Sequence, residues 1–271
     1  MRCKFGWLGL LLVLLSASAG QAADVAVQPA KPAPSTWIVT IGADVRAVPR
    51  YPGSDDFVAV PVPYFDLAKP GSPERFHGPL DGVGFALFDN GNFAIGPVGS
   101  LVWSQRQKIN GLGGVGMTLN LGGYVDYWAV PWLRTRVEVM QGVGAGDGIT
   151  GNLFMDAVIP LSSAMTLSGG PRARYVTAAT ESPYFTVTPA QSIASGLPAY
   201  NAGGGWQSVG AGTQLKYRFN PAWATYGFAE YQKLVGPSAN SPIVTGAGGT
   251  TNQWIFGVGV IYSFAMSGLP F

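Results

Sequence analysis

The sequence predicts an all-β protein, a transmembrane antiparallel up-and-down β-barrel, and three observations support this fold class. Only 11 % of the 271 residues are charged, far below the share of about 25 % in an average soluble domain. After the N-terminal segment, no apolar run reaches the roughly 18 residues that a spanning helix needs. Many segments instead alternate apolar and polar residues with a period of two, which is the pattern of strands that face lipid on one side and a lumen on the other.

The N-terminal segment has the features of a secretory signal peptide. Arg2 and Lys4 make its start positive, residues 5–15 are apolar, and residues 20–22 form a small-residue cleavage site. The apolar stretch is too short to span a membrane. We therefore expect residues 1–22 to be a cleaved signal for export.

The mature chain is expected to begin with a periplasmic leader over residues 23–35, which are rich in Ala and Pro. The only cysteine, Cys3, would leave with the signal, which excludes disulfides and thiolate chemistry. Removal of Arg2 and Lys4 would also reduce 16 positive charges against 14 negative ones to 14 against 14. Net charge therefore predicts no nucleic-acid partner.

Eleven segments are candidate strands. Residues 252–264 show the clearest pattern, because Trp254, Phe256 and Val258 share one face and Gln253 and Gly257 the other. The other well-patterned segments are 36–47, 114–127 (with Val115 and Leu119 facing lipid), 131–141 and 206–219. Weaker candidates are 57–66, 82–88, 93–104, 151–160, 164–176 and 222–234.

The expected strand number follows from the rule that bacterial single-chain barrels normally have an even number of strands. A further short strand within residues 73–79 would bring the eleven candidates to twelve, whereas ten remain if two weak segments fail. We therefore predict a barrel over residues 36–264, with twelve strands or alternatively ten, followed by a tail over residues 265–271.

Connection lengths predict the orientation of the barrel. Short connections at 89–92, 129–131, 160–163 and 220–221 are expected on the periplasmic side. Long connections over 177–205 and 235–251 would then face outward. Within the first of these, residues 183–205 are long enough to fold over the lumen or into it, and the sequence leaves both possibilities open.

Three loop segments carry a resemblance to a known family. They are Tyr51-Pro52-Gly53-Ser54-Asp55-Asp56 with Pro61-Val62-Pro63, the stretch from Ser182-Pro183-Tyr184-Phe185 to Ser195-Gly196-Leu197-Pro198-Ala199-Tyr200, and Asn240-Ser241-Pro242-Ile243-Val244. Together they resemble the MltA-interacting protein (MipA/OmpV) family, over about Trp37 to Phe264. The chain departs from the family pattern at its end, because residues 265–271 follow the aromatic Phe264, at which we expect the barrel to close.

The resemblance implies an outer-membrane location and a set of partners. It implies contact with outer-membrane lipid and lipopolysaccharide, and a scaffold that joins a periplasmic murein transglycosylase to a murein synthase. Other members look like surface antigens or adhesins. The resemblance also makes one loop, with Tyr51, Gly53, Ser54, Asp55 and Asp56, a candidate structural motif in which Gly and Asp set a tight turn.

The predicted lumen face carries most of the charge. By alternation, the bases that point inward are Arg46, Arg134, Arg136, Arg172, Arg174, Lys216 and Arg218, and the acids are Asp44, Asp126, Glu138 and Asp156. This excess of bases would suit a weakly anion-favouring pore, since charged rings set selectivity. A salt-bridge network that fills a narrow barrel is the alternative, and the modest lumen of ten to twelve strands favours it.

The histidine content gives little support to an enzyme. His77 is the only histidine and could pair with Ser72, but no nucleophile-elbow pattern surrounds it. We interpret His77 as a loop or interface histidine.

Two further patterns resemble binding motifs, and neither has the context that binding requires. Asp44, Asp55, Asp56 and Asp66 lack the ligand spacing of an EF-hand, so no metal is predicted. Residues 111–116 match G-x-G-x-x-G, but a strand rather than a helix follows, and a chain with 39 glycines matches this pattern by chance. We expect no cofactor.

The sequence thus predicts a non-enzymatic outer-membrane scaffold or interaction protein of the cell envelope. A small channel or a surface receptor or adhesin is the alternative. Because the barrel leaves no periplasmic domain, a murein enzyme could touch only the leader, the short turns and the tail. Such contacts fall short of the roughly 1,200 Å² of a stable interface, so weak binding is expected.

Overall fold

The computed structural model of the protein describes residues 36–68, 76–106 and 109–267. The predicted signal, the leader, Ser72 and the last four residues of the tail lie outside them. In this part of the chain ten long strands are present: β1 (Thr36–Pro49), β2 (Phe57–Ala68), β5 (Phe93–Val102), β8 (Thr118–Val130), β9 (Leu133–Gly144), β10 (Ile149–Pro160), β11 (Met165–Val176), β12 (Gly205–Arg218), β13 (Trp223–Leu234) and β14 (Asn252–Ser267).

Four two-residue strands complete the list. They are β3 (Val83–Gly84), β4 (Phe88–Asp89), β6 (Gln105–Arg106) and β7 (Gly114–Val115). The strands β6 and β7 form a separate hairpin, and all the others belong to one twelve-stranded sheet. Neighbouring strands pair antiparallel and β1 pairs with β14, so the sheet curls into a nearly closed up-and-down barrel, as the alternation predicted.

The alternation of side chains produces the two faces of the wall. On β14, Trp254, Phe256 and Val258 are exposed to the outside, with 66 % of Val258 accessible, while Gln253 is buried in the lumen. The inward Gly257 leaves room for a neighbouring aromatic ring, since a Cβ there would lie 2.3 Å from the Phe228 ring. The outer face is therefore apolar enough to contact lipid, and the inner face is polar and close-packed.

Aromatic pairs mark both rims of the outer face. At the end with the short turns, Phe93 stacks on Tyr127 with ring centroids 4.7 Å apart. At the opposite end, Trp206 meets Tyr175 edge-on at 5.6 Å. These two bands lie where the girdles of a transmembrane barrel belong.

The sheet contains ten long strands and is interrupted at one place, between β2 and the short strands β3 and β4. Both β3 and β4 pair with β5, and the residues between them break the ladder, so they are two pieces of one strand. When β3 and β4 are counted as one strand, the sheet has eleven strand positions. Because neighbouring strands are antiparallel, the two end strands of an odd number of positions, β2 and β3, run in the same direction. The predicted short strand over 73–79 is absent from its described part, because residues 76–79 form no strand.

The last strand extends beyond the predicted end of the barrel. Its residues Ala265–Ser267 continue β14 and pair with Thr36–Ile38 of β1. The boundary predicted at Phe264 was therefore too early. The physical reason is that β1 begins at Thr36 and presents backbone groups that need a partner strand in a membrane.

Four short helices lie in the long connections: α1 (Ala178–Phe185), α2 (Pro189–Ser195), α3 (Gly236–Ala239) and α4 (Pro242–Thr245). Thr188 and Gln191 form a capping box at the start of α2, and Gly196 ends it with a φ of 75°. No helix in residues 36–68, 76–106 and 109–267 is long and apolar enough to cross a membrane.

The long connections pack together over the lumen as a cap, which we define as residues 50–56, 103–106, 109–117, 177–204 and 235–251. Its core includes Tyr51, Leu112, Val187 and Ile243, one residue from each connection. Val115, predicted to face lipid, is instead 92 % buried in the cap because β8 begins only at Thr118. Residues 183–205 thus fold over the lumen.

Candidate functional site

Residues 76–82, which we call the inner segment, lie inside the barrel. On one side Leu80 packs against an apolar cluster of β13 and β14 that includes Tyr226, Phe228 and Ile261. On the other side Asp81 contacts Arg134 of β9. The inner segment therefore crosses the lumen, and it carries the chain from the short-turn end of β2 back to the start of β3.

Arg134 is the centre of the ion pairs around the inner segment. Its guanidinium donates to Asp81 at 2.6 Å and to Asp126 at 2.9 Å, and it lies 3.5 Å from Asp156. The Arg134 side chain is fully buried. A buried guanidinium is tolerated only when it is paired and its donors are satisfied, and three carboxylates meet that condition.

Arg136 and Glu138 bind the inner segment through its backbone. Arg136 donates to Glu138 at 2.7 Å and to Asp126 at 3.1 Å, with its guanidinium 3.9 Å from the centre of the Tyr124 ring. The Glu138 carboxylate accepts a hydrogen bond from Gly82 N at 3.0 Å. The network therefore holds the inner segment on the wall formed by β8 and β9.

Arg172 extends the network to the opposite wall. It donates to Asp156 at 2.5 Å and lies 3.5 Å from Glu230 of β13. Ion pairs therefore run from β8 to β13 across the lumen. A barrel of this size is filled by such side chains and holds no wide aqueous channel at this level.

The structure separates the other predicted lumen residues from this network. Arg46 binds Asp44 at 2.5 Å on its own strand. Lys216 and Arg218 line a smaller cavity at the short-turn end. Arg174 makes no ion pair with any residue that the structure describes, and its buried Nε has no hydrogen-bond partner there.

Three lumen carboxylates were missed by the sequence reasoning, namely Asp66, Asp81 and Glu230. Within the described residues, these three bring the number of inward-pointing acids to seven. The inward-pointing bases are also seven, so the inferred excess of positive charge is absent. Alternation along β2 and β13 could have found Asp66 and Glu230. No periodic pattern marks Asp81, because it lies in the inner segment.

The family-like loop motif forms the first turn of the cap. Ser54 N donates to Tyr51 O at 2.9 Å, and Gly53 has a φ of 95°, a conformation that favours glycine. The Ser54 hydroxyl accepts from Asp56 N at 3.0 Å, whereas the side chain of Asp55 is exposed. Ser54 therefore has the turn-setting role that the prediction gave to an aspartate.

Glu181 of α1 anchors the cap to the barrel. It accepts hydrogen bonds from Gln207 at 2.7 Å and from Ser238. Burial raises the pKa of the Glu181 carboxyl above its ordinary value, and the hydrogen bonds from Ser238 and Gln207 offset part of this shift.

The remaining candidates show no catalytic arrangement in the described residues. His77 lies on the inner segment, with Nδ1 3.5 Å from Asp66 Oδ1, and its suggested partner Ser72 lies outside those residues. Gly111 lies in the cap, where a Cβ would meet the backbone of Ala194 at 2.6 Å. The described part of the chain contains no group of three or more potential metal-binding His, Cys, Asp or Glu residues.

Several cavities remain in the described lumen: one of about 270 Å³ lies against the network residues Glu138 and Arg172, and two others lie on either side of the network. The larger, of about 570 Å³, lies between the network and the cap, and the smaller, of about 210 Å³, lies at the short-turn end. They share no lining residue. The inner segment and its ion pairs therefore lie between these two cavities.

Comparison with known proteins gives a family and a set of similar barrels. The family model described as MltA-interacting protein MipA matches residues 41–264. No curated protein is a significant match for the chain.

Among solved structures, an outer-membrane channel from Pseudomonas putida F1 has 11 % identity and a TM-score of 0.43, with 89 % of this chain and 100 % of that chain covered. The NanC porin has 9 % identity and a TM-score of 0.40, with 84 % and 98 % covered. The KdgM porin has 12 % identity and a TM-score of 0.38, with 84 % and 99 % covered. Similarities of this size carry no functional argument.

Proposed function

Because the chain belongs to the MltA-interacting protein MipA family, we propose that this outer-membrane β-barrel is a non-enzymatic scaffold of the cell envelope. In this proposal it binds a periplasmic murein transglycosylase, as the family description suggests, and also a murein synthase. Residues 1–22 would direct export and be cleaved, and residues 23–35 would form the periplasmic leader.

The occupied lumen is the observation that supports a scaffold over a channel. The inner segment crosses the barrel, Asp81 binds it to Arg134, and ion pairs of Arg134 and Arg172 connect β8 to β13. Above it, the cap closes the end with the long connections. A barrel that is filled in this way has its outer surfaces available for partners and holds no wide aqueous channel.

The contact surface at the periplasmic end would be small. It comprises the leader, the short turns near Gly91, Trp132 and Ser162, and the end of the tail. Since stable interfaces bury about 1,200 Å² or more, we expect weak binding that gains strength when several partners assemble together.

A crosslinking pull-down from intact envelopes tests the scaffold. A photoreactive residue replaces Trp132 in a periplasmic turn, a residue of the leader, or Ile193 of α2 as the matched outward control; both Trp132 and Ile193 are exposed. We expect murein enzymes to be captured from the two periplasmic positions and not from Ile193. Deletion of residues 24–34 should reduce capture from the turn if the leader contributes to binding.

Absence of murein enzymes at both periplasmic positions, with capture only at Ile193, would contradict the scaffold and favour a surface receptor. The channel alternative is tested separately by conductance in planar bilayers. A steady ion-selective current from the unmodified protein would show that the lumen opens and would favour a channel.

A further inference from the structure

The barrel wall has an interruption between β2 and β5 near the cap. β2 pairs only with β1, and β3 begins opposite Gly99 of β5. Residues 100–102 of β5 therefore have no strand partner on that side within the described chain. In a membrane this part of the wall lies toward the outer leaflet, because the long connections face outward.

The larger cavity lies directly behind this interruption. Val58 and Val60 of β2 line one edge of it, and Leu101 and Trp103 line the other. Trp103 is 60 % exposed and Leu101 41 %, so residues on the outer surface of the barrel also line the cavity. The cavity therefore reaches the lipid-facing surface through the gap, and its volume of about 570 Å³ suits a small organic molecule.

The chemistry of the lining combines an apolar surface with one unpaired cation. Val60, Leu80 and Ile255 provide apolar surface, and Arg174 also lines the cavity. Unlike Arg46, and unlike the arginines of the network, Arg174 has no carboxylate at ion-pair distance among the described residues. A guanidinium in such a site is suited to bind a carboxylate with two hydrogen bonds.

We propose that this cavity binds a small amphipathic carboxylate, a monocarboxylic acid with an apolar body, that enters from the outer leaflet between β2 and β5. Arg174 holds the carboxylate, and Val60, Leu80 and Ile255 contact the apolar body. This ligand site does not depend on the scaffold proposal, because it faces the cap rather than the periplasmic turns.

Photolabelling in lipid nanodiscs tests the site. Folded protein is exposed to dodecanoic acid that carries a diazirine on its chain, and labelled peptides are mapped by mass spectrometry. We expect labels on peptides containing Leu80, Trp103 or Ile255, competition by unlabelled dodecanoate, and no competition by dodecanol.

Arg174→Gln should lower labelling about tenfold, since it removes a charge-assisted hydrogen-bond pair. Lys216→Gln, which removes a lumen cation at the opposite end, should leave labelling unchanged.

Labels spread evenly over the lipid-facing strands, or labelling unaffected by Arg174→Gln, would overturn the proposal. Val60→Trp provides a second variant that fills the cavity and keeps Arg174. Its folding is checked by mobility on an unheated gel, and labelling that persists in this folded variant would likewise overturn the site. Direct binding of water-soluble benzoate to the folded protein, in the absence of any dodecanoate labelling, would refute entry from the membrane.

Discussion

Glu138 shows at the scale of one residue how the lumen is kept filled. Its carboxylate accepts from Arg136 and from the backbone of Gly82, and it is fully buried. Removal of one partner from a buried ion pair leaves an uncompensated charge. Glu138 therefore affects both the stability of the barrel and the position of the inner segment.

Substitution Glu138→Gln tests this double role. We expect the free energy of unfolding in urea to fall by about 3 kcal/mol, because Arg136 loses a buried carboxylate partner. Asp147→Asn is the matched control, since Asp147 is exposed near the cap, and its effect should stay within about 0.5 kcal/mol. Equal effects of the two substitutions would contradict the assigned role of Glu138.

Glu181 predicts a pH dependence of the cap. Burial raises its pKa in the folded protein, so the unfolded chain ionises first as pH rises. The contribution of Glu181 to stability is therefore complete below its unfolded pKa and is lost as pH rises through the raised folded value. Amide-exchange protection of α1 should be higher at acidic than at neutral pH, and Glu181→Gln should remove the difference. Protection that increases toward neutral pH in the unmodified protein would refute this prediction.

At the scale of elements, β14 and β1 form the seam between the two ends of the chain. The pairs of Ala265–Ser267 with Thr36–Ile38 lie at the periplasmic edge, where the first residues of β1 have β14 as their partner. These pairs were not expected from the sequence, because the stretch after Phe264 has a poor apolar alternation. Backbone pairing, which is independent of side chains, extends the strand.

Truncation of the chain tests the seam. A chain that ends at Phe264 should lose its folded form on a heated gel at a lower temperature than the full chain, because the pairs of Thr36–Ile38 are gone. A chain that ends at Ser267 is the control, since it keeps every described residue of β14 and lacks only the last four residues. If both truncated chains melt at the same temperature, the extension of β14 does not stabilise the barrel.

At the scale of the whole molecule, the odd number of strand positions and the filled lumen have one cause. β2 and β3 run in the same direction, so the chain between them must return along the barrel. The described part of this connection, the inner segment, lies inside the barrel. The connection that closes the topology therefore also occupies the lumen.

Replacement of residues 76–82 by seven Gly and Ser residues should produce ion conductance in planar bilayers, because the contacts of Leu80 and Asp81 across the lumen disappear. Replacement of the seven residues 189–195 of α2 in the same way is the control. This second variant should remain non-conducting, since the ion-pair network below the cap is intact. Conductance of the control alone would assign the closure to the cap instead.

The sequence by itself determined the barrel, nearly all of its strands, and which charged residues of the long strands point inward. Alternation with a period of two is a local property, and lipid outside and polar side chains inside select it at each strand separately. The same rule applied to β2 and β13 would have included Asp66 and Glu230 among the inward acids.

Only the tertiary structure decided that the inner segment lies in the lumen, that Asp81 completes the network, and that Arg174 stays unpaired beside a cavity. These features depend on contacts between residues far apart in sequence, such as Asp81 with Arg134 and Tyr51 with Ile243. The inner segment has no periodic pattern, because its neighbours are side chains of opposite walls rather than lipid on one side and a lumen on the other. Its position follows from the closure of the sheet, which no local pattern encodes.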